Sequence, residues 1–185
     1  MTAQANLESR QARLEHQWPT PPTARELDAQ FPGIFDGAML LAGGANIILQ
    51  LALPGVGYGV AESRVESGSI LHHPIKRSRT TFTYLAVAMM GTSEEKLAYR
   101  RAVNRSHAQV HSTEHSPVKY NAFDENLQMW VAACLYWGFV DTHQKLHGPM
   151  NQQEKETFYQ LAHPLGTTLQ VRQDTWPKDL QAFDA

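Results

Sequence analysis

The 185-residue sequence contains a single cysteine, Cys134. No disulfide can close within the chain, so disulfide scaffolding is excluded as a source of its stability. Charge is scarce as well: 16 basic against 18 acidic residues leave a net charge of −2. A nucleic-acid surface needs a broad excess of lysine and arginine, so no nucleic-acid partner is expected. No apolar run reaches the roughly 20 residues that a bilayer-spanning helix requires. The longest, Ala38 to Leu53 within GAMLLAGGANIILQLALPG, is interrupted by Gly43, Gly44, Asn46 and Gln50. It reads as a buried central helix, with peripheral membrane contact as the alternative. The N-terminal stretch MTAQANLESRQARLEHQWPTPP lacks the apolar core of a secretory signal, which makes the cytoplasm the expected location. Period-two alternation bounded by hairpin turns is missing too, so no sheet is expected.

What the sequence does have is helical punctuation. Residues 1–30 are polar, carry Pro19, Pro21 and Pro22, and read as an N-terminal arm; residues 31–185 read as one all-α domain. Asp36 is a candidate cap for the apolar helix, and Pro54 followed by three glycines ends it. A second apolar run spans Thr81 to Met90 and closes at Gly91. Thr92 and Glu95 have capping-box spacing and open a helix expected to reach about His111. Asp124 caps the next, in which Leu127, Trp130, Val131, Cys134, Leu135 and Gly138 recur at intervals of three and four. Trp130, Tyr136, Trp137 and Phe139 are expected in its core. Asn151 with Glu154 opens a further helix that Pro164 and Gly166 stop. Pro177 sits where another begins, eight residues before the end, so the pattern is expected to belong to a domain longer than this chain.

The chemistry-bearing candidate is RRAVNRSHAQVHS, Arg100 to Ser112, in which His107 and His111 are four apart and share one face of a helix. Three uses compete. His107 packs on the face of Val103 and Val110, and a core histidine bonded to a carbonyl is the plainest. A zinc-peptidase site needs glutamate directly after the first histidine, and Ala108 stands there. Other metal sites would draw on Glu62, Glu66, Asp141 or His143. The third use is a neutral imidazole on a rigid helix as the ligand of haem iron, which suits His107 better than His111. His143 and His147 repeat the spacing near a helix end and are expected to be solvated. Lys76, Arg77 and Arg79 form either a solvated face or an anion-recognition cluster, with the hydroxyls of Thr80 and Thr81 just beyond.

Several segments, in their order, resemble one family. They are ILQLALPGVGYGVAE, RSRTTFTYLAVAMMG, VNRSHAQVH, YNAFDENLQMWVAACLYWGF, GPMNQQEKETFYQ and WPKDLQAF. Together they are similar to the mpaB and rubber-oxygenase (latex-clearing protein) family of helical haem proteins, from about Leu40 to Phe183. The resemblance implies an all-α domain that binds haem b through one histidine and uses dioxygen on a lipophilic, isoprenoid-like substrate. Rubber oxygenases cleave the double bonds of polyisoprene, and a fungal member oxidises the prenyl chain of a meroterpenoid. Carried over by motif, the iron ligand is His107. The arginine and threonine of the preceding helix are Arg77 and Thr81, with Arg79 and Thr80 as register alternatives. Arg77 and Arg79 are the candidates for the haem propionates, and Glu62 is the candidate base. Rubber oxygenases have a lysine just before the distal threonine; Thr80 stands there, so polyisoprene cleavage is not implied. Two other readings stay open: a non-catalytic helical domain without haem, and a non-haem metal enzyme using His107 and His111.

Overall fold

The computed structural model describes residues 18, 20–37, 42–70 and 72–185. Among the described residues there are helices, turns and one isolated antiparallel bridge between His111 and Asn121, with no strand. Helix α1, Ala24–Gln30, begins at a capping box in which the Thr23 hydroxyl accepts from the Glu26 amide and the Glu26 carboxylate accepts from the Thr23 amide. Its Leu27 and the following Phe31 enter the main core, and Trp18 is 1% exposed. Within the expected arm Trp18 and Leu27 are thus buried, while most of its other described residues are exposed.

Helices α2, Gly43–Leu51, and α3, Pro54–Ala61, meet at a bend of 107°. Pro54 both stops the first and occupies the opening turn of the second, where its missing N–H costs nothing. The glycines after it, expected to be loop, are helical. No residue of α2 is buried, and Ile48 is 72% exposed, so this is not the central helix its composition suggested. Residues 38–41 of the apolar run lie outside the described residues. Asp36, expected as its cap, directly precedes the helical Gly37, and its carboxylate lies 3.4 Å from His147. Among the described residues no single helix is long and apolar enough to cross a membrane.

The central element is α6, Glu125–His147, capped by Asp124 and burying Gln128, Ala132, Cys134 and Tyr136. Burial pushes the Cys134 thiol up to about 11, so it stays protonated. A polar seam joins α2 to α6. The Asn46 amide donates to the Cys134 carbonyl (2.6 Å), Gln50 donates to Asn46 (2.6 Å), and the Trp130 indole donates to the Gln50 carbonyl (3.0 Å). Gly138 is required here, because any Cβ would collide with the Asn46 amide. The two helices thus touch along this seam. Trp137 faces outward, half exposed.

Helices α4, Pro74–Met90, and α5, Ser93–His107, form an antiparallel pair, with α5 opened by the Thr92–Glu95 capping box. Helix α7, Gln152–Ala162, opens with the Asn151–Glu154 box, and the short α8, Pro164–Thr167, follows. Asp179, rather than Pro177, caps the terminal α9, Leu180–Phe183. Phe183 returns to an aromatic cluster. Its ring lies 5.0 Å from Tyr136 and 5.4 Å from Tyr159, while Tyr159 stacks on Trp176 at 5.7 Å. The Tyr159 hydroxyl donates to the Pro177 carbonyl at 2.6 Å. Such pairs contribute about 0.5–1.5 kcal/mol each beyond area burial.

The second histidine pair is structural rather than merely solvated. The His143 and His147 rings lie 5.0 Å apart, tilted by 40°, and a His143 ring nitrogen bonds the Pro32 carbonyl at 3.1 Å. The His147 ring lies over Gly33, whose φ of +81° and close approach both exclude a side chain.

Candidate active site on the α4–α5 wall

Helix α5 ends at His107, so His107 and His111 do not share a helical face. The Val110 amide closes a turn onto the His107 carbonyl, and the chain then pairs with residues 120–122. There the Ser112 amide donates to the Tyr120 carbonyl and the Ala122 amide to the Val110 carbonyl. This pairing, held by contacts eight and more residues away, overrides the helical spacing of HAQVH. His111 is exposed on that pairing.

His107 is half-buried, and its ring meets Phe123 edge-on at 6.3 Å. Its Nδ1 is buried with no hydrogen-bond partner. Desolvation, reinforced by the Arg77 charge, lowers its pKa to about 4, so the imidazole is neutral at physiological pH. The plain expectation of a core histidine bonded to a carbonyl is therefore not met. What stands at the helix end is a neutral ring with an unused nitrogen.

Arg77 lies on the α4 stripe Arg77, Thr81, Tyr84, Ala88, which turns toward α5 and the core. Its side chain is open to water, yet the protein around it is dense enough for desolvation to lower its pKa, partly offset by Tyr99. The Thr80 and Thr81 hydroxyls both donate to the Arg77 carbonyl, at 2.8 and 3.0 Å, which leaves their lone pairs to accept. The Tyr99 hydroxyl donates to the Thr80 carbonyl at 2.8 Å and ties α5 to α4. Arg79, two residues beyond Arg77 and so about 200° around the helix, is exposed on another face.

The facing stripe of α5 runs Lys96, Arg100, Val103, His107. Helix phase read from Tyr99, Val103, Ser106 and Val110 sets Arg100 off the buried face and leaves Lys96 unassigned. The signal was their phase: both fall on the stripe of His107. Lys96 is 1% exposed, and burial lowers its pKa to about 8. Arg100 is half-buried beside the Tyr84 phenol, and desolvation lowers it also. Among the described residues, Arg77, Lys96 and Arg100 have no carboxylate within ion-pair distance.

Glu62 lies elsewhere. It follows α3, whose buried Gly59 lets Tyr120 and Val110 come into contact. Its carboxylate accepts from the Ser116 hydroxyl (2.6 Å) and the Tyr120 hydroxyl (2.7 Å), which holds it below the usual carboxylate range. It helps to line a 240 Å³ pocket with Arg64, Gln109, His111, His115 and Tyr120. Arg77, Thr81 and His107 are not among the residues of that pocket. Among the described residues no three histidine, cysteine or acidic side chains are grouped to hold a metal ion, and Glu66, Asp141 and His143 are not brought to His107.

Comparison with known proteins adds to this geometry. Residues 34–185 match the family described as ER-bound oxygenase mpaB/B'/rubber oxygenase, catalytic domain. Over 145 residues the chain is 57% identical to an uncharacterised protein of Mycobacterium bovis, Mb2261, and equally to one of Mycobacterium tuberculosis, Rv2237. Each alignment covers 78% of this chain and 57% of the relative, so the chain spans little more than half the length of these curated relatives. No solved structure matches.

Proposed function

The chain belongs to the mpaB/rubber-oxygenase catalytic-domain family, and from that premise we propose that it serves a haem b-dependent oxygenation of a lipophilic, isoprenoid-like substrate by dioxygen. The observation that carries this reading is the half-buried, neutral and unpartnered imidazole of His107. A neutral ring keeps a lone pair for iron, and its surroundings supply no competing hydrogen bond. The unpaired guanidinium of Arg77 suits a propionate. The residues of the wall therefore fit the group that the family implies.

When bound, haem supplies the activation of dioxygen, chemistry no side chain here provides. The protein's part is to hold and to shield. His107 presents its lone pair from a rigid helix end. Arg77 would hold a carboxylate of the cofactor. Thr81, its proton already given to the Arg77 carbonyl, offers an acceptor to a water or a hydrogen-bond donor beside it. Phe123, edge-on to His107 and itself partly exposed, gives an apolar substrate a surface to displace water from. Glu62, ionised and held by two hydroxyls, serves as the proton acceptor of the neighbouring pocket.

Titrating the purified chain with haem, with an absorption spectrum and iron analysis, tests this. A Soret band of a histidine-ligated haem is expected, weakened or displaced in His107→Ala. An unchanged spectrum in that variant would overturn the ligand, and a colourless protein would leave a non-catalytic helical domain.

A further inference from the structure

Helix α2 is amphipathic the wrong way round for water. Its polar side chains, Asn46 and Gln50, are turned into the protein, where they make the seam with Cys134 and Trp130 of α6. Ala45, Ile48 and the following Ala52 are exposed instead, Ile48 by 72%. A surface helix ordinarily does the reverse, since apolar groups gain from leaving water and polar ones do not. The elbow into α3 continues the pattern. Pro54, Tyr58 and Ala61 fall on one stripe of that helix and are exposed. Between Asp36 and Glu62 the sequence has no charged residue.

Helix α4 extends this face and gives it a charged border. A Cβ at Gly43 would lie 4.0 Å from the Phe82 ring, so the start of α2 adjoins α4. Phe82 belongs to an exposed α4 stripe of Ile75, Arg79, Phe82 and Ala86, in which Ile75 is 85% exposed. Lys76, exposed as well, stands next to Ile75, and no acidic residue occurs between Glu66 and Glu94. The face is thus uncharged and apolar over α2 and α3 and cationic at the opening of α4. An anionic phospholipid surface complements both parts. Its acyl boundary takes the aliphatic side chains, its headgroups attract Lys76 and Arg79, and rings such as Tyr58 and Phe82 suit the layer between.

The two helices are placed to lie on such a surface rather than to cross it. They meet at 107°, and α3 is seated on the body of the protein, with Gly55 against Leu127 and Gly59 against Tyr120. We propose that the α2–α3 elbow and the opening of α4 form an in-plane docking face for an anionic phospholipid membrane. The proposal stands apart from the haem reading and needs none of its residues.

The test is co-flotation of the whole chain with vesicles of phosphatidylcholine, with and without phosphatidylglycerol. Wild type is expected to bind the mixed vesicles roughly ten- to thirtyfold more tightly than the neutral ones, the range for two cations near an anionic surface, and to lose that preference at high salt. Ile48→Glu and Ile75→Glu should each weaken binding to the mixed vesicles by roughly tenfold or more. Because both side chains are exposed, circular dichroism and Tm should stay native. The double variant K76E/R79E should abolish the preference for phosphatidylglycerol. Lys178→Glu should leave binding unchanged, since α9 beside it packs on the Tyr136 side of α6, opposite the Gly138 side that meets α2. A folded wild type that floats with neither vesicle would overturn the proposal. So would binding that Ile48→Glu and Ile75→Glu leave undiminished. A wild-type dimer, seen by sedimentation without lipid and split by Ile48→Glu, would overturn it too and assign the face to a second copy of the chain.

Discussion

Two helical surfaces of this molecule are built to opposite rules. Around Tyr136, Phe158, Tyr159, Trp176 and Phe183 the rings interlock and the Tyr159 hydroxyl finds a carbonyl. On the α4–α5 wall the buried Nδ1 of a neutral histidine has no hydrogen-bond partner, and Lys96 is buried with no carboxylate within ion-pair distance among the described residues. The first surface is what folding alone selects. The second costs stability wherever a cation loses water without a partner, and a sequence that keeps such residues keeps them for something other than the fold.

The comparison predicts mutations of opposite sign. The largest effect is expected from Tyr159→Ala, which removes a buried ring and its hydrogen bond and should cost about 3–5 kcal/mol in urea unfolding. On the wall, Lys96→Met should instead stabilise the haem-free protein at neutral pH, by about 1–3 kcal/mol. Lys96 has a folded-state pKa near 8, below its ordinary 10.5. The unfolded chain therefore binds more protons between those values, and wild-type stability rises with pH through that window. The gap between Lys96→Met and wild type should close there, and a gap constant from pH 7 to 11 would reject the desolvated lysine.

Gly33→Ala should destabilise by about 1–2 kcal/mol through its positive φ and the His147 ring, measurable as a lowered Tm. The smallest effect belongs to His107, whose folded-state pKa of about 4 lies below the ordinary 6.5. Stability from its neutral form is complete above 6.5 and is lost as pH falls toward 4. His107→Leu should flatten that part of the acid limb, and an equally steep limb in the variant would mean that His107 titrates normally.

Local rules made much of this legible in advance. The capping boxes at Thr92 and Asn151 and the Asp124 cap each start a helix as expected, because their hydrogen bonds close within three residues. Composition misled at α2, whose apolar side chains lie on the surface while the more mixed α6 occupies the centre. Spacing misled at His111, where pairing with Asn121 ends the helix early. Lys96 escaped notice, since a cation gives no hint from its neighbours in sequence that the fold will bury it.

The sequence by itself determined the all-α class, the family and the histidine worth asking about, because periodicity, caps and ordered motifs are properties of neighbouring residues. Tertiary structure alone decided that His107 parts from His111, that its ring is neutral with an unpartnered Nδ1, and that Lys96 is buried. Desolvation is the physical reason: how much water a side chain loses depends on which distant helix is laid against it.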